Sequence, residues 1–169
     1  MRLSGIEVEL DLSFLKVKGQ WEPNEHERLA SWELYVELIT RISIAELKPN
    51  EGLLREALSS LHSLFDVTRQ LLRQHGPIVA QPQRKGDLCF GALAIIVLNQ
   101  ELRPVLSYWH PLLLDHEATR KKNVSAFEHE QHWTHSAELR EALNKVRGAL
   151  IAYANLLAKA ANVPSLITE

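Results

Sequence analysis

The sequence predicts a mainly α-helical protein, an up-and-down bundle of about four long helices with a short N-terminal β segment or hairpin. Three observations carry this. Apolar residues recur at three- and four-residue spacing over long stretches, period-two alternation is confined to the N-terminus, and Pro-Asn or Gly-Pro pairs punctuate the stretches. All 169 residues read as one domain, with a β-prone segment over 1–20 on or beside a helical bundle over 24–162.

Ile6, Val8, Leu10, Leu12 and Phe14 alternate with Glu7, Glu9, Asp11 and Ser13, which gives a strand one dry and one wet face. The alternation slips at Phe14 and Leu15 and resumes through Val17. A bulge or tight turn over 11–14 would therefore make a hairpin ending near Gly19. A lone hairpin is marginally stable, so it leans on the helices or offers its edge to another chain.

Pro23-Asn24 opens the first helix, with Asn24 as N-cap and Glu27 three residues on as its capping-box partner. Leu29, Trp32, Tyr35, Val36, Ile39 and Ile42 form the expected core stripe, opposite Glu33, Glu37 and Arg41. Pro49-Asn50 repeats the start signal for a second helix from about Glu51 to His75, stopped by Gly76-Pro77, with Leu54, Leu58, Leu61, Phe65, Thr68 and Leu72 inward. Residues 76–86, GPIVAQPQRKG, read as a surface loop. Asp87 is the expected cap of a third helix whose first eleven residues, LCFGALAIIVL, are almost wholly apolar. A buried strand over 94–98 is the rival reading, but the run is long for one and no turn residues follow. A polar stretch over 115–134 leads to a last helix from about Ser136 to Ala161, with Leu139, Leu143, Val146, Leu150, Tyr153 and Leu157 inward and Asn162 and Pro164 ending it.

Composition bounds the function. Hydrophobic residues make up 46% of the chain, enough to build a core without staples. The single cysteine, Cys89, lies in core sequence, which excludes an internal disulfide framework and suggests a reducing, cytoplasmic address. No secretory signal is evident at the N-terminus, and the longest apolar run, residues 88–98, is too short for a membrane span, which needs about 20 residues. A net charge of −2 gives no general attraction to phosphate backbones, so DNA is not an expected partner, while a local basic patch leaves RNA open. Glycine loops for phosphate and a serine on a glycine-flanked elbow are both missing. No cofactor is called for.

Polar chemistry enters the apolar pattern at residues 99–110, NQELRPVLSYWH. Counted at helical spacing from Cys89, one face reads Cys89, Leu93, Ile96, Gln100, Arg103, Ser107, His110, so an apolar stripe turns polar without changing direction. Arg103 and His110 lie about 10 Å apart along a continuous helix, and Asn99 one turn before Arg103. This arginine, six residues and histidine resemble the motif of HEPN domains, helical bundles that include many metal-independent ribonucleases. The resemblance covers residues 103–110 alone. It implies that Arg103 holds the scissile phosphate, that His110 exchanges a proton with the attacking 2′-hydroxyl or the leaving group, and that a dimer partner completes the cleft. The family places a polar residue after the arginine, where this chain has Pro104. Arg69 and His75 repeat a similar spacing. The structural alternative has Arg103 paired with a carboxylate of a neighbouring helix and His110 capping a segment kinked by Pro104 and Pro111.

His110, His116, His129, His132 and His135 crowd into 26 residues with Asp115, Glu117, Glu128 and Glu130. Helical spacing places His129, His132 and His135 as candidate zinc or iron ligands, although no HExxH is present and no second cysteine exists. The alternative is a solvated loop anchored by Trp133. Arg120, Lys121 and Lys122, with Arg84 and Lys85, form a candidate basic patch.

Three functions follow as expectations. The first is a non-enzymatic, self-associating interaction module of an intracellular microbial system, acting as a homodimer or on a protein partner through its β segment or an apolar helix face. The second is a HEPN-like ribonuclease or its inactive relative, using Arg103, His110 and Asn99. The third is a His-rich metal-binding protein.

Overall fold

The computed structural model describes residues 5–41 and 44–167, so Ile42 lies outside the described residues. The protein is mainly helical, 63% helix, with a two-stranded antiparallel hairpin at its N-terminal end.

Strands β1 (Ile6–Asp11) and β2 (Lys16–Trp21) pair with Leu10 opposite Val17 and Asp11 opposite Lys16. The turn is tight, closed by Leu12 N–H donating to Leu15 carbonyl at 2.8 Å. Val8, Leu10, Val17 and Trp21 are buried while Glu7, Glu9 and Asp11 face solvent, the split that the alternation predicts. β2 runs two residues past Gly19 and its end is held by Leu88 N–H donating to Gln20 carbonyl at 2.7 Å.

Helix α1 (Glu25–Ile39) starts on the expected capping box: Asn24 accepts from Glu27 N–H and Glu27 from Asn24 N–H. Its buried face differs from the predicted stripe. Glu27, Ala30, Ser31, Leu34, Tyr35 and Leu38 are buried, whereas Leu29 and Trp32 are exposed at 55% and 40%. Glu27 sets this phase, because its carboxylate also accepts from Trp21 Nε1 at 3.0 Å and from Phe90 N–H at 2.9 Å, which turns its side of the helix inward. Small Ala30 and Ser31 lie on the packed side, against which the last helix lies.

Helix α2 (Leu54–His75) begins three residues later than Pro49-Asn50 suggests. Leu53, at its N-cap, contributes no side-chain bond. Glu130 does so from 76 positions away, accepting from Leu54 N–H at 2.7 Å and Arg55 N–H at 3.3 Å. Five of the six predicted core positions are buried, and Leu72 is half-buried. Gly76, at φ 75°, ends the helix where predicted, in a conformation that glycine takes without strain.

After a 3₁₀ turn (Pro77–Ala80), one helical rod runs through α3 (Phe90–Ile96), a π turn (Val97–Leu102) and α4 (Arg103–Ala118). Asp87 does not cap it. Cys89 holds the N-cap position without a side-chain bond, and Glu27 of α1 satisfies the Phe90 N–H instead. The strand alternative over 94–98 fails, since those residues are helical. Short α5 (Ala126–Gln131) interrupts the predicted polar stretch, and α6 (Ser136–Ala160) matches the last predicted helix, with all six predicted stripe residues buried. One hydrophobic core joins the hairpin to these helices. No helix among the described residues is long and apolar enough to cross a membrane.

Candidate functional site: the groove between α2 and α4

The π turn explains why Pro104 sits inside a continuous rod. Proline has no N–H to donate to the carbonyl four residues back, and its ring collides with that carbonyl. Widening the preceding turn, with Arg103 N–H reaching Leu98 carbonyl five residues back, accommodates it. The extra residue also changes the phase. The buried line runs Leu93, Val97, Leu98, Glu101, Leu102, Leu106, Trp109, Leu113, so the apolar stripe does not become polar in place as the uniform helical count predicts. Gln100 is exposed and its neighbour Glu101 is buried instead.

Glu101 went unpredicted as a buried group. Its carboxylate reaches the hairpin turn, accepting from Ser13 N–H at 2.8 Å and Ser13 Oγ–H at 2.6 Å. The π turn thereby fastens the hairpin to the rod.

Arg103, Ser107 and His110 all follow the π turn, so ordinary helical phasing relates them, and all three are exposed on one side of α4. They line a groove of about 550 Å³ whose facing wall is Ser59, His62 and Arg69 of α2. Leu58, Phe65 and Leu106 also line it, and among the described residues no carboxylate does. The Arg103 guanidinium carbon lies 5.1 Å from the centroid of the Phe65 ring and that of Arg69 5.7 Å, so two cations share one aromatic ring. Asn99 Oδ1 accepts from Arg103 Nε–H at 3.1 Å, which bridges the π turn and steers the side chain. Among the described residues no carboxylate pairs with Arg103, contrary to the structural alternative, while Arg69 pairs with Asp66 at 2.9 Å.

His110 lies within α4 and does not end it. Arg55 Nη1 is 2.9 Å from His110 Nδ1. A guanidinium only donates, so Nδ1 accepts and the proton of the neutral ring sits on Nε2. Arg55 is in turn held by Glu117, to which its Nε donates at 2.8 Å and its Nη2 makes a second bond. The Glu130 cap fixes the backbone at Arg55, so α5, distant in sequence, helps to place the groove histidine.

The candidate metal ligands are not brought together. His129 Nε2–H donates to His116 carbonyl at 2.7 Å, His132 Nδ1–H to Glu128 carbonyl at 2.8 Å, and His135 Nδ1 lies 3.2 Å from Glu138. Among the described residues no three His, Cys, Asp or Glu side chains converge as a metal site would require. Two of the clustered histidines form a stack instead. The rings of His116 and His129 lie 3.9 Å apart at 8°, each Nε2 bonding the other residue's carbonyl, and Trp133 stacks on His116 at 5.3 Å. Trp133 also meets Trp109 edge-on, so it anchors the α4–α5 region on the core.

Two of the candidate basic residues turn to partners of their own. Arg84 turns to Glu22 at 3.7 Å, and Arg120 donates to Val124 carbonyl in its own loop. Cys89 is buried as expected, and burial pushes its thiol pKa up. His75 faces Glu33 at 3.1 Å and does not line the groove. No protein-family model, curated protein or solved structure matches the chain.

Proposed function

We propose that the chain is a HEPN-like, metal-independent ribonuclease, with its four long helical segments in an up-and-down bundle and an RNA backbone seated in the α2/α4 groove. One observation carries this reading: Arg103 and His110 line the same solvent-open groove with Arg69 and His62, and among the described residues no carboxylate lines it to repel a phosphate. The overall charge of −2 argues against a general nucleic-acid coat, and a single local groove requires none.

Arg103, steered by Asn99, grips the phosphate. His110 presents Nε2–H to it and becomes a general acid once Nδ1 takes a proton, for which the Arg55 donor must withdraw toward Glu117. The substrate 2′-oxygen then attacks phosphorus and loses its proton to water, while the bond to the 5′-oxygen breaks and that oxygen receives the His110 proton. The products are a 2′,3′-cyclic phosphate and a 5′-hydroxyl. The test is cleavage of single-stranded RNA in excess chelator: Arg103→Ala and His110→Ala are expected to lose about 100-fold or more in rate with unchanged circular dichroism. Equal cleavage by wild type and either variant refutes the assignment.

A self-associating module is the second reading, favoured by Leu29 and Trp32, exposed three residues apart on α1. It predicts a dimer by light scattering that Trp32→Lys dissociates.

A further inference from the structure

The tight turn fixes which backbone groups of β1 are unused. Leu12 and Leu15 form the last hydrogen-bonded pair, so Leu10 with Val17, Val8 with Gly19 and Ile6 with Trp21 are the other bonded pairs. The residues between them, Glu7, Glu9 and Asp11, turn their N–H and C=O groups away from β2. The sheet has two strands, and among the described residues nothing bonds to that outer edge.

The same three residues carry exposed carboxylates, a row of negative charge at every second position. β2 already answers this row from the other side: Lys16 Nζ lies 2.7 Å from Glu9 and 3.6 Å from Asp11, and Lys18 Nζ 3.8 Å from Glu9. At its Asp11 end the edge meets a cavity of about 660 Å³ between the hairpin turn, α4 and α6. Phe14 and Tyr108, exposed at 77% and 57%, line it, together with three carboxylates, Asp11, Glu138 and Glu141, against one cation, Lys145. Aromatic faces beside carboxylates suit an arginine or lysine side chain.

We propose that the outer edge of β1 docks an extended segment of a protein partner carrying lysine or arginine at alternate positions, with one basic side chain entering the cavity beside Phe14 and Tyr108. Backbone pairing with Glu7, Glu9 and Asp11 supplies the adhesion, and opposite charges directly across the ladder supply the register. A second copy of this chain does not fit. Antiparallel addition of β1 to β1 sets Glu9 against Glu9 and Glu7 against Asp11, like charges on neighbouring strands.

The test uses the full chain and a fluorescent cyclic β-hairpin peptide with one strand alternating valine and lysine. Fluorescence anisotropy is expected to show saturable binding that weakens as salt rises, and none to the same peptide with glutamate for lysine. Glu9→Pro removes an N–H that points outward and bonds nothing in β2, so it is expected to weaken binding about tenfold or more while the melting curve shifts only by the small loss of the exposed Lys16 contact. Should that variant misfold, Glu7→Lys with Glu9→Lys keeps every backbone group and is expected to switch preference to the glutamate peptide. Absence of saturable binding to wild type, equal binding of both peptides, or binding unaffected by both variants overturns the proposal. A wild-type dimer that Glu9→Pro dissociates overturns it in favour of a second copy.

Discussion

Glu27 and Glu130 do the same job in two ways. Each buries a carboxylate at the N-terminus of a long helix and accepts backbone N–H there, Glu27 from the N-cap Asn24 and Glu130 from Leu54 and Arg55, but Glu27 belongs to the turn it caps whereas Glu130 arrives from 76 positions away. The local cap also ties its helix to the hairpin and to α3 through Trp21 and Phe90. The distant cap ties α2 to α5, and through Arg55 to the histidine of the groove. Glu27 therefore serves the core and Glu130 serves the candidate site, and removing each should leave a different signature.

Glu27→Ala is expected to have the largest effect. It strands three donors, Trp21 Nε1, Asn24 N–H and Phe90 N–H, where Trp21 and Phe90 are fully buried. A loss of about 3–5 kcal/mol follows from the cost of unsatisfied buried groups, or a fall in Tm of roughly 6–20 °C for a domain of this size. Glu27→Gln retains one amide oxygen and should lose less. Equal melting of Glu27→Ala and wild type would show that water satisfies these donors.

Glu130→Ala removes the cap from α2 alone, which leaves Leu54 N–H buried and Arg55 N–H near solvent, a loss of about 1–3 kcal/mol. Its distinguishing mark lies in hydrogen exchange: amides of residues 54–57 should lose protection first, and RNA cleavage should fall more than stability alone explains. If exchange in the first turn of α2 matches wild type, Glu130 is not the cap that the geometry describes.

What could be read from sequence follows the same division. The capping box of Asn24 and Glu27, the hairpin alternation and the stripe of α6 are local patterns, and each was legible because its cause lies within one or two turns of chain. The face of α1 was misread because Leu29 and Trp32 outweigh Ala30 and Ser31 in hydrophobicity, while burial was decided by what Glu27 meets elsewhere. The start of α2 was misread because its cap comes from α5. Arg103 and His110 were found by spacing, and they share the groove because the π turn precedes both. Arg69 and His62 were not placed with them, since their meeting depends on how α2 packs on α4. Pro104 was the one local signal of the π turn, and it reads equally well as a kink.

Ser13→Ala probes the third buried glutamate at smaller scale. It removes the Oγ–H bond to Glu101 but leaves the backbone bond, so the carboxylate stays partnered. A loss of about 1 kcal/mol is expected. Glu101→Ala removes both bonds and should cost more, with loosened hairpin amides as its mark. If the two variants melt alike, the backbone bond contributes nothing measurable.

The smallest effect belongs to the opposite extreme from Glu27, the exposed carboxylate of Glu9. Its hydrogen bond and charge contact with Lys16, with a lesser contribution from Lys18, hold its pKa below the ordinary value, and Glu9 in turn raises that of Lys16. A depressed folded pKa stabilises above the unfolded value and loses that contribution as pH falls through the folded one; the raised pKa of Lys16 stabilises below the ordinary lysine value and loses its contribution as pH climbs through the folded one. Glu9→Gln should therefore unfold at slightly lower denaturant than wild type near neutral pH and coincide with it in acid, where both side chains are uncharged. Solvent exposure and salt screening keep the gap small, and added salt should narrow it further. A gap that persists unchanged in acid would mean that Glu9 acts on stability through packing or strand propensity and not through charge.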